Sequence, residues 1–382
     1  MDFWIILYII DWTLFAGVAL TTIYLLVFSV ASLFTKHTNI KKARRQNRFI
    51  VLIPAHKQDQ VVIQCVTSIL GQTYPQRMFD VVVISDHQNE MTNMKLAQYT
   101  ITLLTPNFEK STKAKSLQYA IMNLPEFKIY DAVVVLDADN IVEPDFLDQV
   151  NDAFEGAGTK ALITHRLPKN LDTTTARLDA IFEEINTSIF RRGHITFGLS
   201  SAMSGSGTIY EFEWFKNNIM KVRGAEEEKE IEALLMRQRI YIDYFDHIHV
   251  YDEKKRNTGE ISSQRSRWAL AQYKNLLKNI YHLPAAIFHR DYDYADKILQ
   301  WLLIPRIATV VIIGVMGITL PFIYLTLAIK WWFIGLLLGF AFSFATPDHM
   351  VGPHWDNDFL MLPIRVVSSI VKRVMSRVRK KN

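Results

Sequence analysis

Apolar runs at the two ends of the chain enclose a middle section in which short hydrophobic stretches alternate with amphipathic ones. Trp12 to Phe34 carries nothing more polar than Ser and Thr. Roughly 23 residues at about 1.5 Å each span about 34 Å, enough to cross a bilayer. Two later apolar stretches, about Ile298 to Leu320 and about Tyr324 to Ala345, are separated by a tight turn at Pro321 and predict a helical hairpin. Between them, β-branched runs predict strands at Phe49 to Ile53, Val81 to Ile84, Ile101 to Leu104, Ala132 to Leu136 and Ala161 to Thr164. Helices are expected from near Gln60, over Ser116 to Met122 and over Asp145 to Phe154. This alternation predicts an α/β domain around a mixed, largely parallel sheet, whose ligands sit at the carboxyl ends of the strands. One more expected strand, Tyr241 to Tyr251, carries His247 and His249, which read as surface positions rather than metal ligands.

Charge gives these elements an orientation. Lys36, Lys41, Lys42, Arg44, Arg45 and Arg48 follow the first apolar run. The positive-inside rule puts that flank in the cytosol and the N-terminus outside, with both ends of the hairpin cytosolic. The first run reads as a retained anchor and not a cleaved signal peptide, because Asp2 opens the chain and the apolar stretch is too long. Arg306 near the hairpin's entry is expected to snorkel to headgroups. Phe359 to Lys381 sets Leu360, Ile364, Val367 and Val371 at helical spacing against Arg365, Lys372 and Arg373, a pattern suited to an anionic membrane face. The domain plan is therefore 1–46 anchor and basic flank, 47–260 cytosolic α/β domain, 261–297 interfacial helices, 298–346 transmembrane hairpin and 347–382 amphipathic basic segment. The protein is expected in the cell's inner membrane as a multi-pass chain.

Composition narrows the chemistry. Of 382 residues 49% are hydrophobic and 21% charged, so apolar and polar segments are segregated along the chain. Cys65 is the single cysteine, which excludes an internal disulfide and any cysteine-based metal cluster. A net charge of +5, concentrated beside the apolar segments, favours lipid headgroups. No aromatic-interleaved basic patch points to nucleic acid.

Three expected strand ends carry polar residues. Val133 to Leu136 runs into Asp137-Ala138-Asp139-Asn140. Two carboxylates two residues apart at a strand end offer hard oxygen ligands suited to Mg²⁺ or Mn²⁺, or else they cap the next helix. Phe49 to Ile53 runs into Pro54-Ala55-His56, and Val81 to Ile84 into Ser85-Asp86. Asp86 can accept a hydrogen bond from a nucleobase and Lys113 can meet a diphosphate. A dinucleotide fingerprint lacks its third Gly, which argues against NAD.

Taken in order, IPAHKQ, VVISD, STKAKSLQYAI, VVVLDADN, GSGT, EEEKEIEALL and QRSRW resemble a family 2 glycosyltransferase of GT-A fold, in the membrane-bound branch that includes cellulose, hyaluronan and chitin-oligosaccharide synthases. The resemblance covers nearly the whole chain. It implies that Pro54, Ala55 and Asp86 hold the uracil and ribose of a UDP-sugar, that Lys113 and Arg267 approach the diphosphate, and that Asp137 and Asp139 bind the metal. Gly205, Ser206 and Gly207, with Gln264 and Trp268 of the QxxRW signature, are implied at the acceptor. The family's base is an Asp preceded by Glu; here the pair is Glu227-Glu228, so Glu228 stands in the Asp position with an extra methylene, and Glu227 remains the other candidate. Lys57-Gln58 departs from the family's usual Asn-Glu.

The implied reaction is a single inverting displacement, in which a metal-dependent transferase passes sugar to a hydroxyl of a glycan or lipid-linked acceptor and forms β-linkages in a cell-surface polysaccharide. A processive synthase that also secretes its product is the alternative; with about three spans it would need a homo-oligomer or an export partner. A non-enzymatic transporter or nucleotide-sugar sensor would instead place ionisable residues within the spans.

Overall fold

A computed structural model describes residues 3–35, 40–125, 127–224, 226–256, 258–347 and 350. The expected C-terminal amphipathic helix lies outside the described residues.

Eight strands form one sheet in the order β3-β2-β1-β4-β7-β6-β8-β5. They are β1 Phe49–His56, β2 Phe79–Asp86, β3 Thr102–Leu104, β4 Ala132–Val135, β5 Ile141–Val142, β6 Ala161–Pro168, β7 Thr208–Glu211 and β8 Ile242–Asp252. The first four in space are parallel, as the alternating pattern predicts. β7 was not expected from the hydrophobic pattern; it runs antiparallel between β4 and β6 and makes the sheet mixed. Alternate residues of β1 enter opposite layers. Ile50 and Leu52 pack with Leu117 and Ile121 of the helix Lys113–Met122, while Phe49, Val51 and Ile53 pack with Val62, Cys65 and Val66 of the helix Val62–Leu70. Burial of both faces explains why β1, β2 and β4 read as continuous apolar runs.

The anchor helix runs over Phe3–Ser32, beginning before the predicted Trp12. It therefore includes Asp11, which is 1% exposed and takes hydrogen bonds from Lys330 and from Trp331 Nε1, the latter at 2.8 Å. Lys330 and Trp331 belong to the terminal helix Leu325–Ala345. By length and composition Leu7–Ser32 and Leu325–Ala345 can cross a membrane, and a third span is possible if the bent pair Tyr292–Leu302 and Arg306–Phe322 counts as one. Large apolar side chains such as Ile9, Leu20, Ile23, Phe333 and Leu336 lie exposed along these helices, an arrangement suited to lipid.

The predicted stretch Ile298 to Leu320 is not one straight helix: a bend of 53° breaks it, and it counts as a span only if the bent pair crosses as one. Pro305 lacks an N–H and disfavours helical backbone at Ile304, so the helix stops at Leu302 and a new one starts at Arg306. Ile298 to Leu302 belong to a helix whose Lys297 and Gln300 are buried, Lys297 against the Ser201 carbonyl and Glu232. Arg306 likewise does not snorkel outward; it donates to Asn186 Oδ1 at 2.6 Å. The anchor meets the domain closely where Gly193 abuts the Phe28 carbonyl, a place where any Cβ would collide.

Candidate active site

The register of the parallel strands converts local motifs into one site. β1 pairs with β2 so that His56 stands beside Asp86, and β1 pairs with β4 so that the Asp137 turn emerges next to both. Asp86 is fully buried. Its two carboxylate oxygens meet His56 Nδ1 at 3.0 Å and His87 Nδ1 at 2.6 Å. Burial would push this carboxyl up, yet hydrogen bonds from Ser111, His87 and His56 outweigh it and hold Asp86 below its ordinary value. His56, Asp86 and His87 present ligand atoms within 4.8 Å of one another, so this group too could hold a metal. The Lys57-Gln58 departure lies alongside: Lys57 has φ of 52°, and Gln58 N donates to Gln88 Oε1 at 3.0 Å.

Asn140 organises the turn after β4. Its Oδ1 accepts from Asp137 N at 3.0 Å and from the Ser206 hydroxyl, and its Nδ2 donates to Asp139 Oδ1 at 3.1 Å. Asp139 is pushed up to about 6 by burial and by the nearby charges of Asp137 and Asp252. Lys113 is the first residue of its helix, behind Thr112, which caps it by accepting from Lys115 N. Its ammonium touches Asp137 Oδ1 and the Gly205 carbonyl, with Glu227 Oε1 at 3.7 Å. A cation at a helix N-terminus is a favourable setting for phosphate.

Glu227 and Glu228 open the helix Glu227–Arg237 and both are buried. Burial raises both carboxyls, Glu227 to about 8 despite Lys113, and their mutual repulsion adds to this in Glu227. One turn on, Glu232 shows the opposite outcome. Burial is outweighed by Lys229 and Lys297, which pull it down to about 2.

The predicted residues Pro54, Ala55, Asp86, Lys113, Asp137, Asp139, Gly205, Glu228, Gln264, Arg267 and Trp268 line a single cavity of 870 Å³, ample for a nucleotide-sugar. Glu227, Ser206 and Gly207 are not on its surface. Ser206 is buried with Asn140, and Gly207, at φ of 66°, occupies a turn where a Cβ would strike Thr164 Oγ1. The absent side chain that leaves open space is at Gly205. Gln264, Trp268 and Gln272 share one face of the helix Thr258–Asn279. Gln272 Nε2 donates to the carbonyls of Gln300, Trp301 and Leu303, tying this helix to the bend before Arg306. Arg267 Nε donates to Glu226 Oε1 at 2.9 Å, next to the carboxylate pair. His247 is exposed on β8, as expected.

Several site residues were missed in the sequence. Arg166 of β6 pairs with Asp252 at the end of β8, and Lys254 meets Asp252 at 2.8 Å. Lys297 is fully buried 3.4 Å from Glu232 Oε1. These partners lie on separate elements with no shared local motif: Arg166 shows in the sequence only as a charge ending an apolar run, and Asp252 and Lys254 only as members of a charged run.

The family described as glycosyltransferase like family 2 matches residues 46–271, more than half of the 382. No curated protein matches the chain. Among solved structures, the mannosyltransferase PcManGT from Pyrobaculum calidifontis, in complex with GDP-Man and Mn²⁺, is 13% identical with a TM-score of 0.52, the alignment covering 85% of this chain and 96% of that one. TarS 1-349 from S. aureus, in complex with UDP-GlcNAc, is 13% identical with a TM-score of 0.43, covering 78% and 89%. The first likeness is one of fold. With the sheet order, the strand-end carboxylates and the family match in agreement, the chain belongs to the glycosyltransferase like family 2 and is a glycosyltransferase.

Proposed function

We propose that the protein transfers a sugar from a UDP-sugar to a hydroxyl of a glycan or lipid-linked acceptor at the cytosolic face of a membrane, inverting the anomeric centre. The carrying observation is the convergence of Lys113, Asp137, Asp139 and Glu228 on one cavity at the sheet edge. The donor set suits Mg²⁺ or Mn²⁺: oxygen ligands, with Asp139 raised by burial and then by the Asp137 and Asp252 charges, a setting that a divalent ion would relieve. When bound there by Asp137 and Asp139, such an ion supplies charge neutralisation for the departing diphosphate.

The chain's own groups do the rest. Asp86, held ionised by its histidine and serine donors, accepts from the base, and Pro54 and Ala55 floor the nucleoside. Lys113 and Arg267 bind phosphate oxygens, where charge grows as the bond to the sugar breaks. Glu228 or Glu227 takes the acceptor hydroxyl's proton as its oxygen attacks from the opposite face. Trp268 offers a flat face to an acceptor sugar. Membership of the QxxRW branch and formation of β-linkages are supported by the QRSRW residues lining this same cavity.

The test is UDP release by the purified full chain with Mn²⁺ and a panel of UDP-sugars, products being identified by mass spectrometry. Asp139→Ala is expected to abolish release; undiminished release removes the site assignment.

A further inference from the structure

The cavity continues past the sheet edge to Thr21 and Leu25 of the anchor helix and to the bend from Leu303 to Ile307. Two guanidiniums line it there, both within reach of one ring. The Cζ of Arg265 lies 4.2 Å and that of Arg306 5.9 Å from the centroid of Phe182. Arg265 is opposed by Asp179 at 3.4 Å. Arg306 donates to the neutral Asn186 amide, forms no ion pair among the described residues, and keeps a buried Nη1 with no hydrogen-bond partner among them. Neighbouring cations are already matched, Arg166 and Lys254 by Asp252 and Arg191 by Glu183.

A buried guanidinium N–H lacking an acceptor is costly, and the guanidinium fork matches phosphate oxygens in geometry and charge. Glu183, the carboxylate nearest both guanidiniums besides Asp179, is already paired with Arg191 at 3.4 Å, and Leu25, Phe190, Leu303 and Ile304 supply an apolar part of this end. The bend itself is held to the anchor, since Ile304 N donates to Thr21 Oγ1 at 3.2 Å. A ligand filling this space needs an anionic head and an apolar body.

We propose that this end of the cavity binds the phosphate of an amphiphilic acceptor, with Arg306 and Arg265 on the phosphate and the apolar chain along the anchor helix and the Arg306 helix. The proposal deepens the transferase reading and rests on it, because the far end of such an acceptor would reach the donor at the sheet edge.

The test uses the full chain in a neutral detergent, titrated calorimetrically with decyl phosphate, decanol and inorganic phosphate, and separately with UDP. Decyl phosphate is expected to bind at least about 10-fold more tightly than either other probe. Arg306→Gln and, independently, Arg265→Gln are expected to lower that affinity about 10-fold while UDP affinity, which reports an intact fold, stays unchanged. Decanol binding as tightly as decyl phosphate overturns the proposal, as does full affinity in both variants. Inorganic phosphate binding equally well overturns the lipid part and leaves a free-anion site. Decyl phosphate binding to a chain that does not bind UDP would sink the donor reading and leave this site standing.

Discussion

The two ends of the cavity are built in different ways. At the sheet edge, charges come from residues close in sequence to strand ends, and parallel register brings them together: His56 beside Asp86, and Asp137 and Asp139 after β4. At the end beside the apolar helices, Thr21, Phe182, Arg265 and Arg306 come from four helices far apart in the chain. The first construction leaves a short readable motif at each strand end. The second leaves little, because each helix contributes a residue or two and packing supplies the neighbours; of its residues Arg265 alone falls within a motif, QRSRW. The expected consequence is a division of labour: substitutions at the sheet edge should act on turnover, and those among the apolar helices on acceptor affinity or stability.

The largest expected effect comes from the carboxylate pair. Whichever of Glu228→Gln and Glu227→Gln removes the base should lower kcat about 10²–10⁴-fold, with the other variant affected far less; steady-state kinetics of both decides between them. Equal, small losses in both would place the base elsewhere. Lys113→Ala comes next, with an expected loss of about 10²–10³-fold in kcat from removing a charge aimed at the diphosphate. A change confined to the acceptor KM would mean that Lys113 belongs to the other end of the cavity.

Protonation sharpens the comparison. A general base works ionised, so if Glu227 serves, kcat/KM should rise with pH through about 8, its raised value. Stability should move the opposite way. The folded-state value lies above the unfolded one, so the neutral form favours folding at low pH and that contribution is lost as pH rises through about 8. Glu227→Gln, always neutral, should therefore melt above the wild type near pH 9 and level with it near pH 5, as followed by thermal unfolding in detergent.

Smaller effects belong to the scaffold. Gly207→Ala should cost about 1–3 kcal/mol, since it strains a left-handed turn and meets Thr164; denaturant titration measures it. Asp11→Asn weakens the bonds to Lys330 and Trp331 between two helices long and apolar enough to cross a membrane and should cost about 0.6–2 kcal/mol, with UDP affinity unchanged. A turnover defect in Asp11→Asn would break the division between the two ends.

Much of the sheet edge was legible in the sequence for a physical reason. Strands buried on both faces are continuous apolar runs, and polar residues that end them stand out, as Asp86 and Asp137 do. β7 and β5 were not legible: Thr208–Glu211 holds only two apolar residues between polar ones, unlike the equally short apolar β4, and β5 has two residues in all. Hydropathy also overrode Pro305: the apolar run from Ile298 looked like one span, although a proline in it should end a helix. The pairs Arg166 with Asp252 and Glu232 with Lys297 depend on contacts across 86 and 65 residues, which periodicity does not report.

The central claim is that a divalent cation held by Asp137 and Asp139 binds the diphosphate of the donor. Calorimetric titration of UDP into the purified full chain, with and without Mn²⁺, tests it most directly. Mn²⁺ is predicted to tighten UDP binding by about 10-fold or more, a coupling of about 1.4 kcal/mol, and Asp139→Ala should lose that increment. Equal UDP affinity with and without the metal, or an increment that survives in Asp139→Ala, would contradict the account.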